Sequence, residues 1–453
     1  MKNLNIIKQV VIAVIAILVT VSTAAQVTTK GLSPGYNTLN SFVDASIVRD
    51  SRIDQPLDLL NDFYPAIEIT ISDHDNVRRR ADVQEDDLKI IVAPSLSYRT
   101  DIGRHQFYVS YSGRFTYHSD IDVEDSKSNS LVSQLGLDLT RRWDLNVFAG
   151  IGNSYEERGI SGSRALTAFE ASLNIGPDEI DYYQYGADLI YGRKVSPLNA
   201  VLGFEKHTSK FTDDFDSDEN IIGGRDRDID SLHFDISYQI GSKTSVFGRV
   251  QKSDTDYIRA FNSLDSEQTD YLLGIRWRPS NALSGVVGIG SSEKDFIDPS
   301  RSDYDGDIYY VNLDYMLNPF SVISLSASRA VEEPGDDFSD FYESSLLGAA
   351  WDHSLTSLLG FNVYAKWIDD DYNTGRNDEF FDFGIALDYV WKPWLTAGVY
   401  YGQIERDSSF DEFDYEDSYF GIRLKSDLRP LLRGRRNVEE PDDSFEYPRV
   451  SNK

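Results

Sequence analysis

His105-Gln106-Phe107-Tyr108-Val109-Ser110-Tyr111-Ser112-Gly113-Arg114-Phe115-Thr116-Tyr117-His118 alternates two chemistries. Phe107, Val109, Tyr111, Phe115 and Tyr117 fall on one face of an extended chain, and Gln106, Ser110, Ser112, Arg114 and Thr116 on the other. A segment that is oily on one side and wet on the other can lie against lipid only if neighbouring strands satisfy its backbone N–H and C=O groups. A run of about ten alternating residues, a turn and a second run, then a longer polar loop, is how a transmembrane β-barrel is written.

The pattern recurs. Alternating runs can be placed at 64–73, 88–99, 105–118, 129–140, 143–157, 181–193, 199–211, 228–239, 243–256, 267–278, 283–295, 305–316, 321–332, 341–353, 357–370, 379–391, 395–406 and 415–426. The sequence therefore predicts an all-β fold, an antiparallel up-and-down barrel of about eighteen strands. Its connections alternate between short and long. Pro197, Pro279, Pro319 and Pro393 stand in short ones, where a fixed φ and a missing N–H suit a strand end. Short turns are expected at the periplasmic side and long Asp-rich loops outside. Trp143, Trp277, Phe320, Trp391 and Trp394 cluster near the short turns, while Tyr64, Tyr117, Tyr257, Tyr304 and Tyr372 sit toward loop ends or rims, predicting two aromatic girdles.

The ends read differently. Residues 1–25 carry Lys2 and Lys8, an apolar run from Val10 and then Ser22-Thr23-Ala24-Ala25, the three regions of a secretory signal. Residues 26–63 lack alternation and are expected to form a periplasmic arm or a plug, 64–426 the barrel, and 427–453 a periplasmic tail. With the last strand internal, its aromatic assembly signal would be internal too. No later apolar run is long enough for a spanning helix.

Composition narrows the function. The chain has no cysteine, which removes disulfides, thiolate catalysis and cysteine-held metals. Its 44 Lys and Arg against 75 Asp and Glu give a net charge of -31, so nucleic acid is excluded as a partner. Solvated loops explain most of this acid; Asp213 to Glu219 and Glu332 to Asp337 lie on expected outer loops, where divalent ions could also bridge them to lipopolysaccharide.

No catalytic residue is expected. The six histidines, His74, His105, His118, His207, His233 and His353, are scattered and show no metal or protease spacing. Asp303, Asp305 and Asp307 around Gly306 resemble a calcium loop at a glance, but Gly306 is fourth rather than sixth and Asp314 stands twelfth, so an acidic turn is the simpler reading. No cofactor is expected.

The alternation assigns faces. Leu131, Leu135, Leu137; Leu145, Val147, Ile151; Leu232, Phe234, Ile236, Tyr238; Tyr271, Leu273, Ile275; and Phe381, Phe383, Ile385, Leu387 face lipid. Their neighbours face a lumen of mixed charge. Eighteen strands leave an aqueous passage unless something plugs it, so a channel is the default function, which the 159–180 loop or the amino-terminal arm could narrow. The candidate path residues are Tyr108, Arg114, Phe148, Asp235, Phe247, Arg249, Arg276, Tyr364, Asp382 and Asp388. Rings among them could stack on sugars while the charged groups bond hydroxyls; packing against an inner loop would use the same rings.

Several segments resemble the outer-membrane barrels encoded with exopolysaccharide and capsule synthesis genes in Gram-negative bacteria, the EpsL-like second β-barrel porin family. They are Asp75-Asn76-Val77, Val92-Ala93-Pro94-Ser95-Leu96-Ser97-Tyr98, the aromatic strand from Tyr108 to Tyr117, Tyr155-Glu156-Glu157-Arg158-Gly159, and Arg276-Trp277-Arg278-Pro279-Ser280. The resemblance spans the barrel and implies passage of a secreted polysaccharide across the outer membrane, with lipid, lipopolysaccharide, the polymer and periplasmic export machinery as partners. The alternatives are a porin for small solutes and a non-conducting adhesion or scaffold barrel.

Overall fold

The structure, a computed structural model, describes residues 62–163, 175–192, 196–212, 225–258, 264–280, 282–335 and 339–428. The segments expected as signal, arm and tail lie outside them except for 62–63 and 427–428, as do the acidic run from Asp213 to Glu219 and part of the 159–180 loop.

Eighteen strands follow in chain order: β1 (Asp62–His74), β2 (Asp87–Ile102), β3 (His105–His118), β4 (Ser126–Asp138), β5 (Trp143–Tyr155), β6 (Glu179–Tyr191), β7 (Leu198–Thr212), β8 (Arg227–Gly241), β9 (Thr244–Tyr257), β10 (Ser266–Trp277), β11 (Leu283–Phe296), β12 (Tyr304–Asn318), β13 (Ser321–Glu332), β14 (Tyr342–Ser354), β15 (Leu359–Tyr372), β16 (Asn377–Lys392), β17 (Leu395–Ser408) and β18 (Tyr415–Asp427). The runs read from the sequence match them to within three residues at either end. Each strand pairs antiparallel with its chain neighbours, and β1 pairs with β18 from Ala66↔Asp427 to His74↔Tyr419, closing the cylinder without a free edge. Two-residue turns join β2 to β3, β8 to β9, β12 to β13 and β16 to β17, and Gly103 takes a left-handed φ of 67° in the first.

Period two sorts the side chains. On β16, Phe381, Ile385 and Leu387 are exposed on the outside, while Asp378, Phe380, Ala386 and Asp388 are buried on the inside. The outer wall carries a broad apolar band, with Leu232, Leu273, Ile289 and Leu347 among its most exposed residues, and exposed charges such as Lys252 and Glu267 stand on it toward the long loops. Trp143 and Phe320 mark its short-turn rim. The buried apolar cluster Phe247, Leu272, Val286, Ile308, Tyr310 and Ala330 belongs to the lumenal face of β9 to β13.

One expectation is corrected. The sequence places Tyr257 and Tyr372 toward an aromatic girdle, yet both turn inward and are 6% and 3% exposed. The Tyr257 hydroxyl donates to Glu333 at 2.7 Å, and Tyr372 stacks on Tyr342 at 4.9 Å with the Arg376 guanidinium 3.7 Å above its ring. Each shares parity with lumenal residues of its strand, and a buried cation or carboxylate outbids the headgroup boundary for the phenol.

An arginine on the outer wall near mid-span should cost about 2–4 kcal/mol. Leu273→Arg is expected to lower the denaturant midpoint of the lipid-embedded barrel accordingly, while Ser97→Arg, which points into lumenal water, leaves that midpoint near wild type.

Candidate functional site: a latched lumen

The long-loop end of the lumen is organised by Asn76. Its buried amide donates to the Arg80 and Glu416 carbonyls at 2.9 and 3.1 Å and accepts the Arg80 N–H at 3.1 Å, bending the chain after β1. The bend holds Arg79 at φ 52°, the sole non-glycine residue with positive φ among the described residues. Its guanidinium is thereby aimed inward. Nη1 donates to the Arg158 carbonyl at 2.7 Å, Nη2 to Glu157 Oε1 at 3.1 Å and Nε to Asp417 at 3.4 Å.

Asp417 stands on β18, while Glu157 and Arg158 belong to the connection after β5, which runs into the barrel rather than away from it. The Tyr415 hydroxyl donates to the Gly159 carbonyl, and Arg158 bonds Glu124 at 2.8 Å and the Ile175 carbonyl at 2.6 Å. Gly159 and Gly162 have φ of 65° and 74°; a Cβ at Gly162 would stand 2.4 Å from the Tyr342 hydroxyl. Tyr342 lies on β14, nine strands from β5 and so on the opposite wall. The segment 156–163 therefore spans the mouth. A second bolt comes from the connection after β13. Glu333 accepts from Tyr257 and from Lys294, and Arg225 joins Glu156 at 3.0 Å, Asp178 and the Gly335 carbonyl at 3.3 Å. One guanidinium thus ties three loops together.

Below this latch, all ten path residues named from the sequence face the lumen, but on three separate walls. Tyr108 lies beside Ser97 at 3.4 Å, and the Phe148 ring covers Gly186. Arg249 grips Asp235, with 2.7 Å between Nη2 and Oδ2, and the Arg276 guanidinium stands 4.9 Å over the Phe247 ring. Tyr364 donates to Asp382 at 3.0 Å, and Asp388 pairs with Arg423 at 2.8 Å. Arg114 makes no hydrogen bond or ion pair among the described residues. The fold joins three pairs among the ten and gathers no single pocket from them.

A model of the family described as "Putative beta-barrel porin 2" matches residues 63–427. The chain belongs to this porin family. It is an outer-membrane barrel of the channel-forming kind. No curated protein matches it. Solved structures similar to the porin include OccK2 (OpdF) of Pseudomonas aeruginosa in complex with glucuronate, at 12% identity and TM-score 0.45 over 81% of this chain and 98% of that one. Others are OpdQ of Pseudomonas aeruginosa, at 14% and 0.44 over 82% and 100%, and the siderophore receptor PirA from Acinetobacter baumannii, at 8% and 0.42 over 81% of each.

Two further readings meet the porin's geometry here. Asp303, Asp305 and Asp307 do not gather a cation: among the described residues no three potential ligands converge, and Asp303 instead accepts the Phe296 N–H at 2.9 Å as a turn cap. The histidines are less scattered than they look. Ser72, His74 and Asp417 form a row, with 3.0 Å from Ser72 Oγ to His74 Nε2 and 3.0 Å from Nδ1 to Asp417. All three are buried, and Asp417 is shared with Arg79, so the row braces the latch. Residues two apart on one strand share a face, whereas the adjacent His-Ser pairs visible in the sequence do not.

Sequence reading missed Arg79, Glu157, Arg225 and Glu333. The available signal was three consecutive arginines, Arg78 to Arg80, in a strongly acidic chain. Burial alone would raise the Glu157 carboxyl, but Arg79, with Lys89 and Arg114 beyond it, holds it down at about 2. Glu333, also opposed by burial, is held below the carboxylate range by Lys294 and Arg227.

Removing the clamp should widen the mouth. Arg79→Ala is expected to raise single-channel conductance in planar bilayers by about twofold or more, with Tyr415→Phe giving a smaller rise. A carboxylate held low keeps its ion pair above its ordinary 4.5 and loses it only as pH falls toward about 2. Wild-type conductance should accordingly stay flat from about pH 8 to 5 and climb below that window.

Proposed function

We propose that this porin passes a secreted polysaccharide through the outer membrane. The observation that carries the reading is the chemistry of the lumenal wall, where partly exposed rings stand beside hydrogen-bonding charges. Tyr364 lies between Asp382 at 3.0 Å and Lys366, whose ammonium is 5.2 Å from the ring. Tyr400 and Tyr419 meet edge to face at 6.0 Å on the adjoining wall. A sugar offers an apolar ring face and a rim of hydroxyls, which such sites match. The resemblance to barrels encoded with polysaccharide synthesis genes supports the same direction.

A second reading, a porin for small solutes, is favoured by the latch itself: 156–163 crosses the mouth, and a polymer needs that segment to move whereas a small solute needs only the space beside it. A deletion strain separates the two. Loss of extracellular polymer, with uptake of small solutes retained, is the expected result; unchanged polymer with lost uptake would replace export by the porin reading.

A further inference from the structure

Most lumenal cations of this acidic barrel already have a carboxylate. Arg249 pairs with Asp235, Arg423 with Asp388, Arg406 with Asp378, Lys294 with Glu333 and Lys425 with Glu68. Lys89 and Arg114 do not. Among the described residues neither makes a hydrogen bond or an ion pair, although both act electrostatically on Glu157. Lys89 stands on β2 opposite His118, and Arg114 lies four residues further from the mouth on β3, so with Arg79 above them they form a basic ladder descending one wall.

Arg79 and Lys89 share Glu157 and Asp417, and Arg114 acts on Glu157 from below, so three cations face two carboxylates in a chain with 75 acidic residues and 44 basic ones. Lys89 is half-buried and Arg114 stands open to lumenal water, and composition offers no shortage of acids to pair them. Glu157 reaches the top of the ladder only because the inward loop carries it there. More than a third of its side chain remains open to lumenal water, so its place can be taken from below.

The geometry points to Arg79, Lys89 and Arg114 as a binding site for the carboxylate of an acidic saccharide, with Glu157 as a tethered occupant that this ligand displaces. The inference deepens the export reading and takes the saccharide from it; the carboxylate is required by the ladder alone. The Tyr400 ring, which covers Gly421 on the neighbouring β18, offers the same stretch of wall an apolar face, as an acidic sugar needs. Displacement exchanges one carboxylate for another on the same guanidinium and ammonium groups, and it frees segment 156–163 from one of its ties. Ligand entry and opening of the mouth are therefore coupled.

The test uses the full chain in detergent or planar bilayers, with trigalacturonate as the acidic probe and maltotriose as the neutral one. Glu157→Gln removes the competing charge and should tighten trigalacturonate binding about tenfold, because the fraction of vacant sites rises, with maltotriose unchanged. Lys89→Gln and Arg114→Gln should each weaken trigalacturonate binding several-fold and leave maltotriose alone. In bilayers, trigalacturonate should raise wild-type conductance and have little effect on Glu157→Gln, which is already released. Unchanged trigalacturonate affinity in Glu157→Gln, or an equal gain for maltotriose, overturns the inference, the latter by showing that the loop only blocks space. Heat-modifiable gel migration confirms that each variant is folded. A strain that secretes polymer normally without this porin, while the purified protein keeps the Glu157-dependent preference, defeats export and leaves the acidic-ligand site standing; the reverse pair of results does the opposite.

Discussion

A peptide group without a hydrogen-bond partner costs several kcal/mol in hydrocarbon, and this cost governs the whole molecule. Eighteen strands can cross lipid only because β1 meets β18 and leaves no open edge. Closure then fixes everything else. The two faces of each strand separate into lipid and lumen, chain-neighbour pairing forces connections to alternate between the two rims, and the circumference leaves an interior too wide for wall side chains alone to fill.

The interior is filled from one rim. Long connections that could have stayed in solvent turn inward, and their buried charges are satisfied across the mouth: Arg79 by Glu157 and Asp417, Arg225 by Glu156 and Asp178, Lys294 by Glu333. Breaking one partner of such a set leaves a charge stranded in a confined space, which makes the closed arrangement specific as well as stable. The acidic composition acquires a second meaning here. Beyond keeping the loops soluble, it ensures that almost every inward cation has a counter-charge, and it makes the ladder of Lys89 and Arg114 stand out as an exception.

The latch also depends on local geometry that few residues tolerate. Arg79 occupies a left-handed conformation because the Asn76 side chain substitutes for backbone partners, and Gly159 and Gly162 supply positive φ where Tyr415 and Tyr342 press against the chain. Strain of this kind persists only where surrounding contacts determine it, and in this barrel they come from β1, β5, β14 and β18 together.

The sequence by itself determined the barrel, its strand number, the position of each strand to within a few residues and the direction most side chains face, since a period of two and the intolerance of lipid for polarity are local rules that every strand repeats. Leu273 outside and Arg249 inside could be assigned from their neighbours alone. Which lumenal groups meet was decided only by the tertiary structure. Glu157 and Tyr342, or Arg225 and Gly335, come from hairpins on distant parts of the wall, and their contact follows from the diameter of the closed cylinder and the inward path of two loops. No periodicity records either quantity. The inward turn of Tyr257 and Tyr372 belongs to the same class, because a phenol chooses between headgroups and a buried ion only once the fold has brought that ion within reach.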